Sequence, residues 1–314
     1  MIDVLIKKKN IEANGIVSFE LTNVDDKKLP EAAPGAHIDV LVSRDITRQY
    51  SIYNDSKKTN SYKIAVLKDP NSRGGSKALH ENIKEGDVIS ISEPRNLFEL
   101  NYDAPSYILA AGGIGITPIL SMAEDLQFQN RSFSLHYFTR SRDRTAFYQQ
   151  IISGDFADKS TFYFDGDETK SFRQALLDAN NQTHLYVCGP NGFMDFVFSA
   201  AKETGWLEAR LHKEHFTAVP TENAANQAFE VEIASSGARF HIPENSSVFE
   251  VLDDAGIEIN VSCEQGICGS CLTRVLSGTP DHRDQFLSSE EHAKNDKFTP
   301  CCSRSLTKTL VLDL

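Results

Sequence analysis

Four cysteines near the C-terminal end have the spacing of metal ligands. They are Cys263, Cys268, Cys271 and Cys301, in the pattern C-x4-C-x2-C, then 29 residues, then C. This is the plant-type [2Fe–2S] pattern, in which four thiolates bind two irons and three of them come from one short loop. Because such a cluster carries one electron at a time, the spacing predicts electron transfer.

The loop with the first three cysteines favours a cluster over other uses of cysteine. Gly266 and Gly269 can adopt positive φ and let N–H groups point at sulfur. A four-cysteine zinc site is the main alternative, but such sites usually pair their ligands in two short hooks, and the fourth cysteine here has none. A disulfide framework is less expected, because a chain of 314 residues does not need one.

The fourth ligand has two candidates, because Cys301 and Cys302 are adjacent. The 29-residue interval that ends at Cys301 matches the plant ferredoxins. We therefore predict that Cys301 binds the cluster and that Cys302 points away as a small buried side chain.

Two loops have the composition of a dinucleotide site. Residues 107–111 form an apolar strand-like segment that leads into Gly-Gly-Ile-Gly-Ile-Thr-Pro, and residues 185–188 lead into Gly-Pro. A helix should follow the first loop, with Thr117 as N-cap and Pro118 as first residue. Ligands of open α/β sheets bind at the carboxyl ends of strands, and helix N-termini favour anions. The first loop is not the G-x-G-x-x-G fingerprint and could be a tight connection, while a lone Cys188 is more often a core residue.

Two polar segments near the N-terminus could bind a flavin. In Arg48-Gln49-Tyr50-Ser51, expected at the start of a strand, arginine can bind phosphate, tyrosine can pack on the ring and serine can donate a hydrogen bond. Arg73-Gly74-Gly75-Ser76 precedes a predicted helix and could hold a phosphate. The ordinary alternatives are a surface ion pair for Arg48 and a simple turn at Gly74-Gly75.

Three segments must position these residues. Residues 1–100 contain short strands bounded by Pro, Gly, Asn and Asp, which predicts an antiparallel β-barrel. In residues 101–225, apolar strands alternate with helices, as in a doubly wound parallel sheet. Residues 220–227 are almost free of bulky apolar side chains and are interpreted as a linker. Residues 226–314 are expected to form a small β-grasp domain.

Composition excludes several classes of protein. No apolar run approaches membrane-spanning length, and the first residues lack the features of a signal peptide. Six cysteines without such a signal indicate the reducing cytoplasm. The net charge of −12 argues against a nucleic-acid partner. Residues 226–314 carry 14 Asp and Glu and 7 Lys and Arg, hence −7 of the total, which indicates either simple solubility or an acidic face for a basic partner.

The motifs occur together in one order along the chain. Arg48-x-Tyr50-Ser51, the glycine loop at 112–118, Cys188-Gly189-Pro190 and the cysteine loop together resemble the phthalate dioxygenase reductase family. The resemblance covers the whole chain, and the ending from Asp281-His282-Arg283-Asp284-Gln285 onward is also similar.

The resemblance implies an FMN-binding barrel, an NADH domain and a C-terminal [2Fe–2S] ferredoxin domain that serves a separate Rieske oxygenase. It implies hydride transfer from NADH to FMN and one-electron transfer through the cluster, which needs no acid–base catalytic residue. It places Phe216 at the flavin ring, where nicotinamide displaces it, although a core aromatic is the plain alternative. The implied flavin contacts are Arg48, Tyr50, Ser51, Gly74, Gly75 and Ser76. The implied nucleotide contacts are Gly112, Gly113, Gly115, Thr117, Cys188 and Gly189.

Some choices stay open. The family prefers NADH, but Arg142 or Arg144 could pair with the 2′-phosphate of NADPH. The acceptor could instead be a di-iron monooxygenase, although many such reductases carry the ferredoxin domain first and use FAD. A non-catalytic zinc adaptor is the third reading, which the intact flavin and glycine motifs oppose.

Overall fold

The computed structural model describes residues 1–43, 46–70, 74–216 and 226–314. The chain divides into two compact units, Met1–Phe216 and Thr217–Leu314. Within the described residues, no helix is long and apolar enough to cross a membrane. Arg73 and most of the predicted linker, residues 220–225, lie outside the described part of the chain.

The predicted antiparallel barrel is confirmed in the first unit. Its sheet has the order β4-β3-β6-β1-β2-β5. The edges meet where Ile52 and Ile64 form a bridge and the Tyr53 N–H donates to the Lys63 carbonyl (2.9 Å), so the sheet closes. The strands are β1 (Ile2–Ala13), β2 (Ile16–Asn23), β3 (His37–Ser43), β4 (Ile46–Ser51), β5 (Tyr62–Leu67) and β6 (Val88–Ile91).

Two short helices accompany the barrel, α1 (Ser56–Thr59) and α2 (Gly75–Glu81). The flavin tetrapeptide was expected to start a strand, and this expectation is wrong. Arg48–Ser51 ends β4, because the strand already begins at Ile46 and pairs along β3 as far as His37 opposite Ser51. The predicted polar contacts therefore lie at a strand end, where the chain leaves the sheet.

A doubly wound parallel sheet forms the rest of the first unit, as predicted. Its order is β11-β10-β7-β8-β9, and every described pairing is parallel. The strands are β7 (Ser106–Gly112), β8 (Ser132–Phe138), β9 (Ser160–Tyr163), β10 (His184–Cys188) and β11 (Leu211–Glu214). The helices are α3 (Ile116–Phe128), α4 (Tyr148–Ile152), α5 (Lys170–Asp178) and α6 (Asn191–Glu203).

The central strand of this sheet shows why its sequence is continuously apolar. Alternate residues of β7 enter two different cores: Leu109 and Ala111 pack with α3, whereas Ile108 and Ala110 pack with α5 and α6. A strand covered on both faces is buried throughout, as parallel sheets require.

The start of α3 differs from the prediction. The helix begins at Ile116 after a 3₁₀ turn, Gly113–Gly115, and Gly115 is its N-cap. Thr117 lies inside the first turn, where its hydroxyl donates to the Ile114 carbonyl (3.1 Å), so it does not cap the helix.

The second unit has the β-grasp pattern that was predicted. Its main sheet has the order β13-β12-β18-β14-β16, with a separate pair β15-β17. Helix α7 (Val248–Asp254) begins with a capping box between Ser247 and Glu250, and α8 (Ser289–His292) begins with another. The strands are β12 (Phe229–Ile233), β13 (Arg239–Ile242), β14 (Thr273–Ser277), β15 (Pro280–Asp281), β16 (Lys297–Phe298), β17 (Arg304–Ser305) and β18 (Thr309–Leu312).

Candidate functional site

The four predicted cluster ligands lie together in the second unit. Cys263, Cys268 and Cys271 are buried in the loop between α7 and β14. Cys263 hydrogen-bonds Cys268, and Cys271 Sγ lies 3.3 Å from Cys301 Sγ. The four sulfurs therefore fall into two pairs. This arrangement fits a [2Fe–2S] cluster, because two four-coordinate irons each need two thiolates besides the bridging sulfides.

The neighbouring thiol, Cys302, hydrogen-bonds Cys301 but also has contacts away from the other three ligands. Cys302 Sγ lies 3.3 Å from Thr299 Oγ1, and a side chain at Gly266 would collide with this sulfur. Cys302 is half-buried, not fully buried as expected, and its N–H donates to the Thr299 carbonyl (3.2 Å) in a turn. The structure thus brings Cys301 to Cys271 and leaves Cys302 against the backbone of the cysteine loop.

The cysteine loop directs backbone N–H groups at sulfur. Gly266 and Gly269 have φ of 73° and 69°, as the sequence predicted. The N–H groups of Gln265 and Ser270 donate to Cys263 Sγ (3.3 Å) and Cys268 Sγ (3.4 Å). A hydrogen bond from Cys263, followed by those from Ser270, lowers the pKa of the Cys268 thiol to about 5. These donors favour the thiolate that binds metal, and they would help to tune a cluster's reduction potential.

The two glycine loops of the first unit meet at a topological switch point. Strand β7 pairs with β8 on one side and β10 on the other, and Gly112 and Cys188 end β7 and β10. Crevices at such points hold nucleotides in doubly wound folds. Gly112 and Cys188 therefore lie at the carboxyl end of the sheet, where such crevices form.

Part of the glycine pattern serves packing between these loops. A side chain at Gly115 would collide with the Cys188 carbonyl, and one at Gly112 or Gly189 would meet the Phe193 ring. Gly113 has φ of 54°, and nothing lies within 4 Å of its Cβ position. Gly113 is thus the glycine of this loop that leaves room for a ligand.

The residues predicted to bind the flavin phosphate converge between β4 and α2. Arg48 lies against Gly75, since a Cβ added there would be 2.7 Å from Arg48 Cγ. Gly74, with φ of 101°, precedes α2 as its N-cap, and Ser76 Oγ accepts from the Asp69 N–H (3.2 Å). The guanidinium and the first turn of α2 are a donor set that fits a phosphate.

The other two residues predicted to contact the flavin occupy the end of β4. Tyr50 is half-buried opposite Ile38, and burial raises the pKa of its phenol, which keeps it neutral. Ser51 is buried opposite His37. A neutral aromatic beside a buried serine suits the apolar ring and polar edge of a flavin.

Barrel and parallel sheet are joined within the first unit. The Gly35 N–H donates to Ser121 Oγ (3.0 Å), and the rings of Tyr53 and Phe147 lie 4.5 Å apart. At the ligand end, His37 Nδ1 lies 4.0 Å from Glu214 Oε1. His37 is the partner of Ser51, and Glu214 is the partner of Cys188. The end of β4 therefore lies near the carboxyl ends of β10 and β11.

Two residues of this junction, His37 and Glu214, were missed by sequence reasoning. Burial raises the pKa of Glu214 to about 8, and its Oε2 has no hydrogen-bond partner. Burial, and then Arg95, lower the pKa of His37 to about 4. Both groups are thus mostly neutral near pH 7, and their contact is not an ion pair. The sequence did offer one sign of Glu214, because it is an acidic residue at the end of a strand that follows the nucleotide motifs.

Phe216 packs, partly buried, against the core shared by barrel and parallel sheet. It follows Glu214 by two residues, beyond the end of β11. This position fits both the predicted flavin contact and the plain role of a core aromatic.

Two family models match parts of the chain. The 2Fe-2S iron-sulfur cluster binding domain matches residues 231–306, which contain all four predicted cluster ligands. The N-terminal domain of dimethylamine monooxygenase subunit DmmA-like proteins matches residues 91–211.

Full-length relatives give a consistent assignment. The chain is 51% identical to vanillate O-demethylase oxidoreductase of Pseudomonas sp. (strain HR199 / DSM 7063), over 100% of both chains. It is 42% identical to phthalate dioxygenase reductase of Burkholderia cepacia, over 98% of this chain and 96% of that one. A solved phthalate dioxygenase reductase, described as a modular structure for electron transfer from pyridine nucleotides to [2Fe-2S], has a TM-score of 0.78 at 41% identity and covers 99% and 97%. The chain therefore belongs to the phthalate dioxygenase reductase family.

Proposed function

We propose that this chain is the reductase component of an oxygenase system, which takes a hydride from NADH onto FMN and passes single electrons through a [2Fe–2S] cluster to a Rieske-type oxygenase. The observation that carries the proposal is the proximity of His37, the barrel partner of Ser51, to Glu214, the partner of Cys188 in the parallel sheet. A flavin at one strand end and a nicotinamide at the other would be adjacent, as hydride transfer requires.

The residues at this junction would bind the flavin and the pyridine nucleotide, and would keep water out of the space between them. Arg48 and the first turn of α2, through Gly74, Gly75 and Ser76, would hold the FMN phosphate, and Tyr50 and Ser51 the ring. Gly112, Gly113, Gly115, Thr117, Cys188 and Gly189 would line the nucleotide crevice, and Phe216 would cover the flavin until nicotinamide replaces it. A flavin held there would supply the chemistry that accepts two electrons together and releases them singly.

The second unit would hold the [2Fe–2S] cluster that passes electrons to the partner oxygenase. Cys263 and Cys268 would bind one iron, and Cys271 and Cys301 the other, as the two sulfur pairs suggest. We assign the functional domains to residues 1–100, 101–225 and 226–314. We place the protein in the cytoplasm, where cysteines remain reduced and available to iron.

The partner class is tested by anaerobic transfer between purified proteins. With NADH and a catalytic amount of this chain, an oxidised Rieske oxygenase should be reduced, as its visible and EPR spectra report. Released flavin should be FMN, and iron and sulfide should each be about two per chain. Reduction of a di-iron monooxygenase but not of any Rieske oxygenase would overturn the assigned partner and leave the internal electron path intact.

A further inference from the structure

A second group of potential metal ligands lies in the second unit, and none of them is a cysteine. His282 and Asp284 follow β15, and His292 ends α8. One ligand atom from each residue lies within 4.8 Å of the others. Imidazole and carboxylate together are a usual donor set for Zn²⁺ and its neighbours.

The distances within this group fit a single ion. Asp284 Oδ1 lies 3.2 Å from His292 Nε2 and 3.6 Å from His282 Nδ1. Tetrahedral coordination with bonds of about 2.0–2.1 Å separates neighbouring ligand atoms by about 3.3–3.4 Å. The two measured distances bracket that value. The His282 and His292 rings stack with their centroids 4.3 Å apart and 23° between their planes, so coordination would also require at least one ring to turn towards the ion.

His282 gives the second, independent indication of a ligand. Its side chain is only 9% exposed, and both ring nitrogens are buried without a partner at normal hydrogen-bond distance among the described residues. The polar side chains that approach the ring are Asp284, which lies 3.6 Å from Nδ1, and Asn295. Buried polar atoms nearly always have partners, so two such nitrogens in one ring indicate a group that the ring is built to bind.

Neighbouring residues fix the Asp284 carboxylate, and one side of the group remains open to solvent. The Asp284 side chain is fully buried, and its Oδ2 accepts the Leu287 N–H (2.8 Å). The His292 side chain is 28% exposed, which allows an ion to enter. The Gln285 N–H donates to the Gly266 carbonyl (2.9 Å), so this segment is tied to the cysteine loop.

We propose that His282, Asp284 and His292 bind one divalent transition metal of the Zn²⁺ class, at a site separate from the four cysteines. Three protein ligands leave the fourth position to water. The occupied site would fix α8 and the segment after β15 to each other, beside the cluster loop. Without a metal role, the same residues would be a hydrogen-bonded clamp with no measurable affinity for zinc.

The test is zinc binding by the full-length protein with its flavin and cluster in place and no affinity tag. After treatment with a mild chelator, calorimetry with Zn²⁺ should show one site per chain. His292→Gln and His282→Gln should each weaken binding at least about tenfold, since each removes a direct ligand. His241→Gln should bind like the wild type, because His241 is an exposed histidine of the same unit that pairs with Glu230 (2.8 Å).

The visible spectrum serves as the control for the cluster. It should stay unchanged during titration in every variant, which shows that zinc has not displaced iron and that the unit is folded. Binding by the wild type should also raise the midpoint of thermal unfolding, and His292→Gln should abolish that rise. Equal zinc affinity in wild type and His292→Gln, or no site in a wild type with an intact cluster, would overturn the proposal.

Discussion

At the residue scale, we expect the same substitution to have opposite effects on the cluster at the two adjacent cysteines. Cys301 Sγ lies beside Cys271 Sγ, whereas Cys302 Sγ contacts Thr299. Cys301→Ser should therefore lose the cluster, with iron, sulfide and the visible bands absent while the flavin remains. Cys302→Ser should keep all three, because serine can preserve the contact with Thr299.

Iron and sulfide analysis of the two variants, beside the wild type, makes the comparison. Each variant serves as the matched control of the other, since both make the same change one position apart. Cluster loss in Cys302→Ser together with cluster retention in Cys301→Ser would show that the fourth ligand is misassigned.

Glu214 should give the stability of the first unit a characteristic dependence on pH. Its pKa is about 8 in the folded chain against 4.5 ordinarily, so the folded state keeps a proton that the unfolded state releases. Its stabilising contribution is complete below pH 4.5 and is lost as the pH rises towards 8. Relative to Glu214→Gln, the wild type should lose up to about 1.4 kcal/mol for each pH unit in that window.

The measurement is the difference in unfolding midpoint between wild type and Glu214→Gln from pH 5 to pH 9. Other titrating groups cancel in this difference, because the variant keeps them. Curves that stay parallel across the range would mean that Glu214 is ionised in the folded chain.

At the element scale, we expect the loop after β8 to favour NADH over NADPH. Arg142 stacks on Tyr148, with 4.6 Å from its guanidinium carbon to the ring centroid, and the Ser141 hydroxyl donates to Asp143 Oδ1 (2.6 Å). The Asp143 carboxylate would repel a 2′-phosphate, so kcat/KM should favour NADH. The contradicting result is a preference for NADPH that disappears in Arg142→Ala or Arg144→Ala.

The elements themselves were largely predictable, because their signals are local. The uninterrupted apolar segment at β7, the glycine loop and the cysteine spacing each lie within a short stretch of sequence. The start of α3 was misplaced, because Thr is in general a good N-cap and Pro a good first helical residue. In the structure, Gly115 is the N-cap and packs closely against the Cys188 carbonyl. The end position of Arg48–Ser51 was missed since Ile46 and Thr47 extend the strand backwards.

The contact between His37 and Glu214 could not be predicted from the sequence. It joins the barrel to the edge strand of the parallel sheet, and no spacing rule relates residues so far apart in the chain. The same holds for His282, Asp284 and His292, where a short helix brings the third residue back to the first two. A site within one loop can be predicted from the sequence, whereas a site assembled by tertiary packing cannot.

At the scale of the whole molecule, negative charge should act on the partner reaction. Residues 226–314 carry −7 of the net −12. Attraction to a basic oxygenase surface would be screened over about 10 Å at 0.1 M salt. The rate of oxygenase reduction should therefore fall severalfold between about 0.02 M and about 0.3 M salt. Reduction of a neutral quinone should change little, and a partner reaction insensitive to salt would argue against steering.

The central claim is that electrons pass from NADH through a flavin to a [2Fe–2S] cluster in this one chain. An anaerobic titration with NADH, followed by visible absorption and EPR, tests it most directly. We predict that flavin and iron–sulfur bands bleach together and that the EPR signal of a reduced [2Fe–2S] cluster appears. In Cys301→Ser the flavin should still bleach, without that signal. A wild type whose flavin bleaches with no cluster signal after reconstitution with iron and sulfide would contradict the account.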